Sequence, residues 1–236
     1  MFDVIGLDGD DTLWHNEALF SMTQERFAAL LADFVEPAEL ARLLIETERR
    51  NLVTFGYGVK GFTLSMIETA IEVSDRKVGA EEIETILGFA RDMLRHPVEL
   101  LEGARAAVTE LAERHRLVLV TKGDLFDQES KVARSGLGEL FWRIEIVSEK
   151  DQGTYRRLLE RWGVAPQRFC MVGNSLRSDV LPVVAVGGTG VHVPYPLLSG
   201  LEEADPDEAA KGGWHEVGSL AEVPALLDRL AAAGAA

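Results

Sequence analysis

The sequence predicts an α/β protein: a doubly wound parallel sheet whose first strand is followed by an inserted all-helical domain. Two observations predict it. From about Pro97 onward, short apolar runs alternate with segments of helical periodicity, the pattern of a parallel sheet with helices on both faces. Between the first apolar run, Val4-Ile5-Gly6-Leu7, and that alternation, residues 15–97 show helical periodicity alone. The expected division is an α/β core from 1–14 and 98–236, with 15–97 as a helical cap.

Each element follows from its residues. Val4–Leu7 is apolar throughout, as a strand covered on both faces must be. Within the insertion, Phe20–Phe34, Glu39–Leu52, Thr63–Val73 and Ala80–Leu94 place apolar residues at helical spacing. Phe55–Phe62, with glycines at 56, 58 and 61, is too glycine-rich for a helix interior and reads as a loop. After the insertion the predicted order is helix Ala104–Arg114, strand Leu117–Val120, helix Phe126–Ser135 and strand Ile144–Val147. Helix Thr154–Trp162, strand Phe169–Val172, a helix from about Ser178 and strand Val191–Val193 complete the alternation. Pro194–Gly213 is rich in proline, glycine and acids and reads as a long surface loop, its acidic stretch Glu202–Glu208 solvated. Trp214–Val217 is a candidate edge strand, Leu220–Leu230 a terminal helix, and Ala231–Ala236 a frayed tail.

Composition narrows the function. The 236 residues are 47% hydrophobic, enough for a substantial core. A net charge of −15 disfavours nucleic-acid polymers and anionic membranes as partners. The single cysteine, Cys170, precludes an internal disulfide, and its apolar neighbours Phe169, Met171 and Val172 point to burial. No apolar run reaches membrane-spanning length and the first residues carry no basic leader, so a cytoplasmic protein is expected. None of the five histidines, His15, His96, His115, His192 and His215, has a second ligand at metal-binding spacing. His15 alone, directly after the first acidic motif, is placed to reach a pocket there.

The chemistry is concentrated at strand ends. Asp8-Gly9-Asp10-Asp11-Thr12 follows the first apolar run. Side chains alternate along a strand, so Asp8 and Asp10 point the same way, at the carboxyl edge where open α/β sheets bind ligands. Two carboxylates in one pocket can divide nucleophilic attack from proton transfer, and they call for a hard cation such as Mg²⁺. An ordinary Asp/Gly turn is the competing reading. Strand Leu117–Val120 ends in Thr121-Lys122-Gly123, either a hydroxyl and backbone N–H set for an anion or a plain strand-to-helix turn. Strand Phe169–Val172 ends in Gly173-Asn174-Ser175-Leu176-Arg177-Ser178-Asp179, where Asn174 and Asp179 offer oxygens to a metal or its waters. A lysine is needed to hold carboxylate and substrate anion together. Lys131 is placed about 15 Å along its helix and assigned to a solvated face, so Lys150 is preferred, with Lys122 as an outsider.

Asp8-x-Asp10-x-Thr12, Thr121, Lys150 and Gly173-Asn174-x4-Asp179, in that order after successive strands, resemble the four motifs of the haloacid dehalogenase-like (HAD) superfamily. The helical insertion resembles its C1 cap, and the resemblance covers almost the whole chain. It implies a Rossmann-like core, with Asp8 as a nucleophile that forms an aspartyl-phosphate and Asp10 as acid/base. It further implies Thr121 and Lys150 at the phosphoryl group, and Mg²⁺ on Asp8, the Asp10 carbonyl and Asp179. Two residues depart from the pattern. Asn174 stands where an acid is usual, which removes a formal charge from the metal site but keeps an oxygen. Lys122 stands where asparagine is common, leaving substrate contact and solvent exposure both open.

Within such a superfamily Asp10 discriminates. A departing alcohol needs a proton donor, whereas a departing halide does not. A phosphatase acting on a small phosphorylated molecule is therefore the expected activity. A phosphomutase and a non-catalytic binding module are the alternatives. Substrate choice is assigned to the loop Phe55–Phe62, with Phe55 and Tyr57 offering apolar faces and Lys60 a second cation. An inter-helix turn without a ligand is the competing reading of that segment.

Overall fold

The structure, a computed structural model, describes residues 2–233. The chain forms two compact units. One comprises the residues up to His15, Val98–Lys122 and those from Ser130 onward; the other comprises Asn16–Pro97 with Gly123–Glu129.

The first unit is built on a parallel sheet. Its strands are β1 (Val4–Leu7), β2 (Arg116–Lys122), β3 (Arg143–Val147), β4 (Phe169–Gly173), β5 (Thr189–His192) and β6 (His215–Glu216). Among the described residues their order is β3-β2-β1-β4-β5-β6, all pairs parallel. The chain reverses direction across the sheet between β1 and β4, the switch point where doubly wound sheets open a crevice. Ile5 is in register with Leu117 on one side and Cys170 on the other.

Period-two alternation divides the strand residues between two cores. Ile5, Leu7, Leu117, Leu119, Cys170 and Val172 pack on one face with α5 (Ala104–Ala112) and the C-terminal helix. Val4, Val118, Val120, Phe169 and Met171 pack on the other with Tyr155, Leu158 and Trp162. Cys170 is fully buried, as its neighbours imply.

The helical unit contains α1 (Glu17–Leu30), α2 (Pro37–Phe55), α3 (Val59–Val73) and α4 (Ala80–Arg95). Phe27, Leu44, Phe62, Met66, Ile86 and Phe89 form the centre of its core. Pro37 sits in the first turn of α2, where its missing N–H costs nothing. The break between α2 and α3 is shorter than the sequence suggests, covering only residues 56–58. Gly56 (φ 70°) and Gly58 (φ 99°) take the left-handed backbone that reverses the chain. Gly61 lies inside α3, where a Cβ would stand 2.4 Å from the Gly56 carbonyl oxygen. Phe62 is therefore a helical core residue, whereas Phe55 remains exposed.

The remaining helices are α6 (Leu125–Ser135), α7 (Gln152–Trp162), α8 (Leu181–Ala185), α9 (Pro206–Ala210) and α10 (Val223–Ala233). Gly123–Glu129, read from sequence as part of the α/β core, groups instead with the helical unit. Lys60 Nζ donates to both Asp124 carboxylate oxygens at 3.0 and 3.1 Å and lies 5.6 Å from the Phe126 ring centroid.

Three other expectations change. The helix expected from Ser178 is a π-type turn, Leu176–Val180, leading into α8. The acidic loop is not uniformly solvated: Glu202 is largely buried, while Asp205 stays exposed and caps α9, accepting from Asp207 N at 2.8 Å. The expected frayed tail is helical through Ala233, while residues 234–236 lie outside the described part of the chain. Among the described residues, no helix is long and apolar enough to cross a membrane.

Candidate active site

The carboxyl ends of β1, β2, β3 and β4 bring together residues distant in sequence. Asp8 follows β1 directly, and its N–H extends the sheet ladder by donating to Val172 O at 2.9 Å. Lys150 lies between β3 and α7, where Asp151 caps the helix by accepting from Thr154 N at 2.7 Å. Asp179 sits in the π-type turn after β4. Lys150 Nζ donates to Asp8 Oδ1 and, at 2.7 Å, to Asp179 Oδ1. The side chains of Asp8, Lys150 and Asp179 are respectively 8%, 2% and 1% exposed, so this is a buried ionic cluster of two acids and one lysine.

Burial and the neighbouring charge of Asp179 push the Asp8 carboxyl up to about 7, with Lys150 opposing them. Lys150 is raised above its ordinary value by Asp179 and Asp8 in spite of burial, so it stays protonated. Thr12 Oγ1 donates to the second Asp8 oxygen at 3.2 Å and accepts from Asn174 N at 3.0 Å. The Asn174 Oδ1 oxygen stands 3.4 Å from the same hydroxyl. Gly173 is required by close approach: a Cβ there would stand 2.2 Å from Asp179 Oδ2.

Asp10 occupies a separate environment, with its side chain 22% exposed. The turn Gly9–Trp14, with Asp11 at φ 61°, folds Trp14 back so that its Nε1 donates to Asp10 Oδ1 at 2.6 Å. Lys131 Nζ donates to both Asp10 oxygens at 3.0 and 3.1 Å. This overturns the assignment of Lys131 to a solvated helix face. The helix begins at Leu125, so Lys131 lies only about 9 Å along it, and helical side chains lean back toward the N-terminus.

Thr121 is buried at the end of β2. Beside it, Lys122 Nζ ion-pairs with Glu202, donates to Ser178 Oγ at 2.9 Å and approaches Glu149 Oε1 at 3.4 Å. Gly123 has φ 140° and falls in the segment that groups with the helical unit. His15 Nδ1 lies 2.7 Å from Tyr195 OH, in hydrogen-bonding contact. Sequence reasoning missed Trp14, Lys131 and Glu202. Side-chain direction along α6 is a signal for Lys131; the sequence carries none for Glu202.

The donor set around Asp8 suits a hard cation. Two carboxylates share one lysine and repel one another, and every further candidate ligand is oxygen: the Asp10 carbonyl and the Asn174 amide. Among the described residues, no three His, Cys, Asp or Glu side chains converge as a metal-binding group, so neutral oxygens would have to complete such a site.

A family model described as haloacid dehalogenase-like hydrolase matches residues 2–187. The chain belongs to this family. A haloacid dehalogenase-like family hydrolase from Xanthomonas campestris superposes with a TM-score of 0.88 at 44% identity, over 99% of this chain and 94% of that one. N-acylneuraminate-9-phosphatase from Rattus norvegicus is 27% identical over 168 residues, 69% of this chain. The match spans 64% of the length of that relative. L-2-haloacid dehalogenase from Xanthobacter autotrophicus shares the fold, with a TM-score of 0.66 at 15% identity over 97% of this chain and 99% of that one. For a HAD-like hydrolase the fold therefore leaves the reaction open, and the residues at the strand ends must be asked instead.

Proposed function

We propose that this HAD-like hydrolase is a Mg²⁺-dependent phosphatase that cleaves a small phosphomonoester through an aspartyl-phosphate on Asp8. The observation that carries the reading is the pair of differently held carboxylates. Asp8 is buried against Lys150, while Asp10, two residues on, is partly exposed and oriented by Trp14 and Lys131. Two acids in contrasting environments are the pattern of a nucleophile paired with an acid/base. The likeness to N-acylneuraminate-9-phosphatase points the same way.

In the first step an Asp8 oxygen bonds to phosphorus, the P–O ester bond breaks, and Asp10 in its protonated form gives its proton to the departing alkoxide. In the second, Asp10 takes a proton from water as the water oxygen bonds to phosphorus and the P–O bond to Asp8 breaks, which releases phosphate and leaves Asp8 as a carboxylate. Lys150 holds the nucleophile, and Thr12 fixes its other oxygen. Thr121, buried at the end of β2, is assigned to the phosphoryl group. Asp8, the Asp10 carbonyl and Asp179, with Asn174, would hold Mg²⁺. When bound, the ion screens the negative charge of the phosphoryl oxygens.

The test is an aryl phosphate with Mg²⁺, comparing wild type with Asp10→Asn. The variant is expected to lose about 10²–10⁴-fold in kcat while still forming phosphoenzyme with a good leaving group. Undiminished turnover in Asp10→Asn would remove its acid/base role.

We assign leaving-group selection to the segment around Tyr57, since the core motifs address only the phosphoryl group. Lys60, considered for the same task, is engaged by Asp124. Tyr57→Ala is expected to reorder a panel of sugar phosphates, nucleotides and small organic phosphates while sparing a generic aryl phosphate. Equal losses on all of them, with a lower melting temperature, would make the segment structural.

A further inference from the structure

Glu202 lies in the loop after β5, in an acidic stretch that reads as solvated, yet its side chain is only 15% exposed. One carboxylate oxygen pairs with Lys122 Nζ. The other accepts from both Ser175 Oγ and Ser178 Oγ at 2.6 Å. These hydroxyls mark the two ends of the first turn leading to Asp179. Ser175 caps that turn, its Oγ accepting from Ser178 N at 3.1 Å while its own N–H donates to Asp179 Oδ2, also at 3.1 Å. Lys122 follows Thr121 and completes the circuit by donating to Ser178 Oγ. The loop is held in two further places, by Arg177 donating to Leu201 O and by the His15–Tyr195 hydrogen bond.

Burial pushes the Glu202 carboxyl up, but Lys122 and the two serine hydroxyls outweigh it and hold the group below its ordinary value. The pair is thus ionised and internally neutralised, which takes the Lys122 charge away from an incoming anion. A short π-type turn has no long helix to hold its shape, so the position of Asp179 depends on what grips its hydroxyls.

We propose that Glu202 is a positioning residue: it clamps the Asp179 turn to the end of β2 through Ser175, Ser178 and Lys122, and so sets the metal affinity of the site. Lys122 belongs to this clamp and not to the phosphoryl group. The inference rests on the phosphatase reading for its metal, and its test can fail independently of that reading.

Glu202→Gln keeps the shape and removes the charge, and Ser178→Ala removes one grip. Mg²⁺ binding to each purified protein is measured by calorimetry, beside kcat and KM for an aryl phosphate at saturating Mg²⁺. Loss of an outer partner of this kind weakens metal binding by about 10–100-fold. Glu202→Gln is expected in that range, with KM changed less than about twofold, because uniform substrate binding is untouched. Lys122→Met should match it, and the double variant should be little worse than either, because both remove one interaction. Wild-type Mg²⁺ affinity in Glu202→Gln and Ser178→Ala would overturn the proposal. So would a Lys122→Met variant with raised KM and unaltered Mg²⁺ binding, which would return Lys122 to the substrate. A wild type that binds Mg²⁺ but hydrolyses no phosphate ester would refute the phosphatase reading, and the calorimetric comparison would still decide the role of Glu202.

Discussion

Asp8→Asn is expected to lower turnover of an aryl phosphate by about 10⁴-fold or more and to abolish phosphoenzyme, because a carboxamide cannot replace the attacking oxygen. The same substitution is expected to stabilise the metal-free protein. Asp8 is held near 7 by burial and by Asp179, above its ordinary value of 3.8. Between those values the unfolded chain has released a proton that the folded state keeps, so stability falls as pH rises through the window. The cost is absent below about pH 4 and complete above about pH 7, where it is on the order of a few kcal/mol. Asparagine carries no such cost and can still accept from Lys150. Melting curves without added metal should therefore show the variant several degrees more stable at about pH 8, with the gain vanishing near pH 4. A variant no more stable than wild type at the higher pH would mean that Lys150 fully compensates both carboxylates.

Lys150→Met is expected to have the opposite effect on stability and the same direction of effect on activity. It leaves Asp8 and Asp179 buried and facing each other with no cation between them. Removing one partner from a buried ionic group costs about 3–5 kcal/mol. For a chain of this size that corresponds to a melting temperature lower by roughly 6–20 °C. The loss relative to wild type should grow as pH rises through about 7, where wild-type Asp8 ionises beside Lys150 while the variant keeps the proton to higher pH. It should shrink on acidification, where Asp8 is protonated in both. Mg²⁺ should restore part of it by binding the folded state. Turnover should fall by about 10²–10³-fold, the usual consequence of deleting one charge-stabilising donor. A melting temperature within about 2 °C of wild type at high pH, against the scale set by charge burial, would show that the cluster is not the ionic centre described above.

Much of the architecture is legible from local pattern. Val4–Leu7, Leu117–Val120 and Phe169–Val172 read as strands because each is a short apolar run followed by a polar turn, and each is a strand of the sheet. Helix boundaries are less legible where chain reversal is decided by glycine at close range. Gly61 reads as a helix breaker, but it lies inside α3 because only a residue without Cβ can pass the Gly56 carbonyl.

The candidate site shows the same division. Asp8, Asp10, Thr121, Lys150 and Asp179 can be picked out because each lies at the carboxyl end of a strand or within a few residues after it, and a parallel sheet gathers such positions along one edge. By itself the sequence determined the α/β class, the strand ends and the oxygen-rich character of what gathers there, because these depend on periodicity and spacing along the chain. Only the tertiary structure decided that Lys131 reaches Asp10, that Lys122 is neutralised by Glu202, and that Lys60 is engaged by Asp124. A lysine carries its charge on a long flexible stem, and an acid in a loop is solvated or buried according to what the returning chain places against it. Those partners lie tens of residues away, so the state of each charge is a property of the folded chain.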